Sequence, residues 1–200
     1  MILIMNFLDK IKIIKNYWPV TKFFFRSILK QDQPLFGLFF QITDRCNAKC
    51  LMCFNWQRLN KENRELSLAE IARFSGSMGT VPALTVGGGE PFLRDDLPEI
   101  CEIFYKNNKT SRISIPTNSL LTEKILQSTK RILEACPIKI AIVLSLDGIG
   151  GIHDDIRGVK GAFDKFLINY KNLKMLALKY SNLQININTA ISDKNQDHLP

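Results

Sequence analysis

Leu38-Phe-Phe-Gln-Ile-Thr-Asp-Arg-Cys-Asn-Ala-Lys-Cys-Leu-Met-Cys-Phe54 joins a short apolar run to a cysteine-rich segment. Leu38–Thr43 is a short apolar run that reads as a first strand. Directly after it, Cys46, Cys50 and Cys53 stand in a C-x3-C-x2-C spacing with no fourth cysteine close behind. An electron-transfer [4Fe–4S] cluster takes four thiolates. Three on one loop would leave one iron without a protein ligand, open to a small molecule. Zinc is the alternative, but structural zinc wants four Cys/His ligands, usually as two close pairs. The only histidines, His153 and His198, lie far along the chain, so Cys101 or Cys136 would have to complete a zinc site. Buried or incidental thiols are the third reading. Five cysteines is an odd number, and no secretory signal points to an oxidising compartment, so a disulfide framework is disfavoured.

Beyond the cysteines, short apolar runs alternate with helical patterns, as βαβ units of a parallel sheet do. Ser67-Leu-Ala-Glu70 predicts a capping box opening a helix through about Met78. Strands are expected at Ala83–Gly87, Arg112–Pro116, Ile138–Leu146 and Leu183–Ala190. Helices are expected at Leu97–Asn107, Thr122–Ala135 and about Ala162–Tyr180. The fourth strand is nearly all apolar, as expected of one covered on both faces. Each candidate motif falls just after a strand, the end of a parallel barrel where the βα loops converge.

Gly87-Gly-Gly-Glu-Pro-Phe92 follows the second strand. Glycines there allow unusual backbone and let a ligand approach closely, although such a run also suits a tight turn. Thr117-Asn-Ser119 follows the third strand, with Asn118 as a candidate contact or a turn residue. Ser145-Leu-Asp-Gly148 ends the fourth strand and places Ser145 and Asp147 on one side. In the fifth, Asn186 and Asn188 share a face; Asn is disfavoured in strands, which points to a polar, ligand-facing surface or a solvent-facing edge.

Taken together, these motifs resemble the radical S-adenosylmethionine (AdoMet) superfamily, and the chain is similar to its SPASM-associated and cofactor- or peptide-maturase branch. The resemblance runs from about Phe36 to Pro200. It implies a [4Fe–4S] cluster on Cys46, Cys50 and Cys53, with Gly88, Gly89 and Glu90 holding the amino group of AdoMet. It also implies AdoMet contacts from Asn118, Ser145, Asp147 and Asn188, and reductive cleavage of AdoMet to a 5′-deoxyadenosyl radical. The implied substrate is a peptide or small molecule, and the implied electron source a one-electron donor such as flavodoxin or ferredoxin. Such a cluster implies a reducing, cytoplasmic setting. A basic side chain in His153-Asp-Asp-Ile-Arg157, read as a loop, would meet the AdoMet carboxylate or a substrate, and an internal Asp155–Arg157 contact explains it equally. There are two departures. Ser119 stands where glycine is common, at a cost if the turn needs positive φ. Met52 precedes the third cysteine in place of the usual aromatic, with Phe54 one position after it. Cys101 and Cys136, in predicted helices, read as core thiols.

The expected fold class is α/β: a partial (β/α) TIM-like barrel of about five parallel strands with a helical N-terminal extension. Residues 1–34 form the extension and 35–200 the core domain, with the family's sixth strand and any C-terminal domain missing. Ending where a fifth helix should begin, the sequence reads as a fragment or truncated product that could hold a cluster yet turn over poorly. The net charge of +8 is concentrated early, since residues 1–35 carry six cations against two anions. Two amphipathic helices, Phe7–Tyr17 and about Val20–Lys30, would pack on the domain or make peripheral contact with an anionic membrane through residues 1–30. Met1–Leu8 is too short to span a bilayer. No basic-aromatic stripe supports nucleic-acid binding.

Overall fold

The computed structural model describes residues 35–61 and 65–198. The chain divides into two units, Met1–Phe36 and Gly37–Pro200, and the second carries the sheet. The helices and membrane contact expected for the N-terminal extension lie outside the described residues. Among those described, no helix is long and apolar enough to cross a membrane.

Five strands form one parallel sheet in sequence order: β1 (Gly37–Thr43), β2 (Ala83–Gly88), β3 (Arg112–Thr117), β4 (Lys139–Ser145) and β5 (Leu183–Asn188). The connecting helices are α1 (Leu68–Ser77), α2 (Leu97–Asn108), α3 (Thr122–Ala135), α4 (Gly151–Arg157) and α5 (Ala162–Ala177). Parallel neighbours need a crossover, and every strand is followed by at least one helix before the next. The expected α/β fold is therefore observed, with five parallel strands.

Local chemistry explains the elements. Ser67 and Glu70 cap α1 reciprocally, each side chain taking the other's backbone N–H. Asp154, on α4, accepts from the N–H groups of Gly161 (2.6 Å) and Phe163 (2.9 Å) and so caps α5. In β4, Ile140, Ala141, Ile142 and Leu144 are all buried, as its apolar run predicted. On β1, Phe40 stacks on Phe74 of α1 and meets Phe104 of α2 edge-on, at 5.5 and 5.4 Å between centroids.

Two sequence expectations are corrected. His153–Arg157, expected as a loop, belongs to the helix Gly151–Arg157, which ends at Gly158 in the left-handed region, φ 62°. Arg157 pairs with Asp147 at 2.5 Å rather than with Asp155. The thiols of Cys101 and Cys136 are fully buried in the core, where desolvation raises the pKa of both. Cys136 caps α3 at the end of the sheet opposite the first cysteine segment, which removes it as a ligand to the triad.

The turn after β3 needs positive φ: Ser119 sits at φ 64°, fully buried, its hydroxyl without a hydrogen-bond partner. A non-glycine residue there costs about 1 kcal/mol. Ser119→Gly is expected to stabilise the chain by about 1 kcal/mol, read as a higher urea midpoint with unchanged slope; a lower midpoint would contradict it.

Candidate functional site

The motifs converge at the carboxyl end of the sheet, and the cysteine loop is what they converge on. Two sets of backbone contacts hold that loop. From β2, the N–H of Gly89 donates to the Thr43 carbonyl and that of Glu90 to the Arg45 carbonyl, both at 2.8 Å. From α4, the carbonyls of Arg157 and Ile156 accept from Lys49 and Leu51, both at 3.0 Å. Glycine is required at each contact. A Cβ on Gly88 (φ 140°) would lie 2.3 Å from the Thr43 oxygen, and one on Gly89 2.2 Å from that of Arg45. On Gly158 it would lie 2.7 Å from the Lys49 oxygen. Gly89 and Gly158 thus admit the main chain of the cysteine loop, and Gly88 that of Thr43 at the end of β1.

Side chains complete the seat. Asn60 grips the Cys46 backbone from both sides, its Oδ1 accepting from the N–H at 2.9 Å and its Nδ2 donating to the carbonyl at 3.0 Å. Glu65 accepts from Arg45 (2.8 Å) and from the Thr43 hydroxyl, bracing the end of β1. Arg94, buried, donates to the carbonyls of Ile42 and Leu66, both at 3.0 Å, and forks onto Asp96. None of Asn60, Glu65, Arg94 or Gly158 was singled out as a site residue from the sequence.

Cys46, Cys50 and Cys53 are all half-buried and free. Two of the three sulfurs receive N–H donors: Asn118 Nδ2 lies 3.7 Å from Cys46 Sγ, and Arg157 Nη1 3.5 Å from Cys50 Sγ. Cys50 and Cys53 also line a cavity of about 230 Å3, with Trp56, Leu59 and Asn60 among its walls. Among the described residues, no three His, Cys, Asp or Glu side chains converge tightly enough to hold one metal ion. Three thiols spread along one loop, with N–H groups directed at the sulfurs, are a donor set that fits an iron–sulfur cluster. Met52 is half-buried and Phe54 strongly exposed.

Glu90 is 1% exposed and faces the end of β3. Its Oε1 accepts from the Thr117 hydroxyl (2.9 Å) and the Phe92 N–H (3.2 Å), its Oε2 from the Asn118 N–H (2.7 Å). Burial pushes its pKa up to about 7, against the pull of those donors. Asn118 also bonds Asn47 of the cysteine loop at 2.8 Å, so one chain of contacts runs from Glu90 to Cys46. Asp147 is fully buried; its Oδ1 accepts from the Ala190 N–H at 2.9 Å and its Oδ2 pairs with Arg157. Ser145 and Asn188 are register partners across β4 and β5, the first half-buried and the second exposed. His153 accepts from the Asp147 N–H at 3.1 Å through Nδ1; burial and then the nearby Arg157 lower its pKa.

Comparison with known proteins agrees with this arrangement. The sequence profile of the radical SAM superfamily matches residues 40–190. The chain belongs to the radical SAM superfamily. It is 32% identical over 152 residues to Fe-coproporphyrin III synthase of Methanosarcina barkeri (strain Fusaro), covering 75% of this chain and 36% of that protein. To pre-heme d1 synthase of Dinoroseobacter shibae it is 31% identical over 166 residues, covering 80% and 37%. Among solved structures, anSMEcpe with bound AdoMet superposes with a TM-score of 0.55 at 25% identity, covering 77% of this chain and 43% of that one. The chain thus spans between 36% and 43% of the length of these relatives.

Two outcomes are expected from this geometry. Gly89→Ala should unseat the cysteine loop, costing at least about 2 kcal/mol and speeding reaction of the loop thiols with a disulfide reagent; unchanged thiol kinetics would contradict the docking. The stability that the raised Glu90 pKa supplies is fully present below pH about 4.5 and is lost as pH rises through about 7, a span of about 3 kcal/mol. In the ligand-free chain, urea stability at pH 5 minus that at pH 8 should therefore be smaller in Glu90→Gln than in the native chain.

Proposed function

We propose that this chain is the cluster- and AdoMet-binding part of a radical SAM enzyme, with Cys46, Cys50 and Cys53 holding a [4Fe–4S] cluster. The observation that carries the reading is the three-thiol loop docked against a buried carboxylate through one run of contacts, Cys46 to Asn118 to Glu90. Bound together, cluster and AdoMet supply one-electron cleavage of the sulfonium to methionine and a 5′-deoxyadenosyl radical that abstracts hydrogen from a substrate.

The chain's own residues bind and orient. Glu90, buried beside Gly88 and Gly89 and raised in pKa, favours a cationic ammonium group, whose charge would offset the cost of ionising it. Asn118 fixes Cys46 and the Glu90 carboxylate at once. Ser145 and Asn188 offer neighbouring polar groups for the remainder of AdoMet at the ends of β4 and β5. Asp147 serves by its ion pair with Arg157 and by accepting from Ala190 at the start of the segment after β5. The substrate is a peptide or small molecule: two relatives are named as synthases of Fe-coproporphyrin III and pre-heme d1, and anSMEcpe was also crystallised with a peptide. A one-electron donor such as flavodoxin or ferredoxin would supply the electron in a reducing, cytoplasmic setting.

Electron paramagnetic resonance of the anaerobically reconstituted, dithionite-reduced chain tests this. A [4Fe–4S]⁺ signal that changes shape on adding AdoMet, and is lost in Cys50→Ala, is expected. A signal indifferent to AdoMet would reduce the chain to a cluster-binding remnant. Zinc without sulfide would overturn the cluster altogether.

A further inference from the structure

Arg157 is the last residue of α4, and its guanidinium, with the side chain 12% exposed, lies between Cys50 and Asp147. Nη1 points at Cys50 Sγ (3.5 Å), Nη2 forms an ion pair with Asp147 Oδ2 (2.5 Å) that lacks hydrogen-bond alignment, and Nε has no hydrogen-bond partner. Asp147 is itself held, its carboxylate by the Ala190 N–H and its own N–H by His153 Nδ1. The loop does not need this side chain to dock. Backbone bonds from Lys49 and Leu51, and the close approach at Gly158, already join it to α4. A cation in a nearly dry site, fixed by a buried carboxylate and directed at one ligand sulfur, calls for another explanation.

We infer that Arg157 is a positioning residue that raises the reduction potential of the cluster through its N–H···S contact with Cys50, with Asp147 and His153 holding it in register. The inference rests on the cluster-binding reading above. Reduction adds one electron from an external one-electron donor and moves no proton. The added charge spreads onto the thiolate sulfurs, so a donor and positive charge at Cys50 stabilise the reduced form more than the oxidised one. Hydrogen bonds to cluster sulfurs are among the terms that set such potentials, and the dry surroundings strengthen them.

The test is a redox titration of the reconstituted 200-residue chain without AdoMet, followed by the reduced-cluster resonance. At the ambient potential where the native cluster is half reduced, Arg157→Met should show a reduced-to-oxidised ratio about tenfold lower, equivalent to about 59 mV for a one-electron couple. Arg157→Lys, which restores the charge without the planar fork, should recover part of the shift. A complete cluster with an unmoved ratio in Arg157→Met overturns the inference alone. A native chain that assembles no cluster overturns the cluster-binding reading with it. If only the Met variant loses its cluster, the native chain with guanidino-15N-arginine decides. A 15N coupling in pulsed resonance of the reduced cluster supports the contact, and its absence overturns it.

Discussion

The close backbone approach of the cysteine loop to two separate carriers, the end of β2 and the end of α4, is the constraint on which the rest of the site depends. It is made of four main-chain hydrogen bonds and three glycines where a Cβ would meet a carbonyl oxygen. Main-chain groups buried in such a contact have to be paired, so neither carrier can shift without leaving donors or acceptors orphaned. The sheet fixes β2, and the packing of α4 on α5 fixes the other carrier. A loop that would otherwise sample many conformations is thereby held in one, and half-burial of its three sulfurs follows from that placement.

Charge is arranged around the same loop in an uneven way. Arg94 beneath it is neutralised by Asp96 in a two-pronged pair and sealed by main-chain carbonyls. Asp147 has its counter-ion in Arg157. Glu90 has hydrogen-bond donors but no ion pair, which is why desolvation dominates its titration. Among the described residues, two of these three buried charges have an ion-pair partner, and the third is the one at the glycine motif, where an incoming cation would complete the set.

Much of this was legible in the sequence. The order of the elements follows from the alternation of apolar runs and helical patterns, and the Ser67–Glu70 cap from its spacing. Ser119 was marked as strained on the condition that its turn needed positive φ, and the turn does. Helix α4 was missed because its seven residues are too few for a periodic signal and its N-cap, Gly150, makes no side-chain bond. The glycines of residues 87–89 suit a tight turn or the approach of a ligand; Gly88 and Gly89 also make room for the main chain of Thr43 and Arg45, which sequence spacing does not reveal. Asn60, Glu65, Arg94 and Arg157 act on partners 14 to 107 residues away through single side chains, and no local pattern encodes such a contact.

The 107-residue separation between Cys50 and Arg157 also sets an order of events during synthesis. At roughly 5–20 residues per second, the thiols leave the ribosome some 5–20 s before the helix that clamps them. For that interval the loop has only its β2 anchor in prospect, and its sulfurs are open to oxidants and stray metal ions. The half of the seat made by α4 therefore works as a late closure: whatever is loaded onto the loop early is loaded onto an unfinished site.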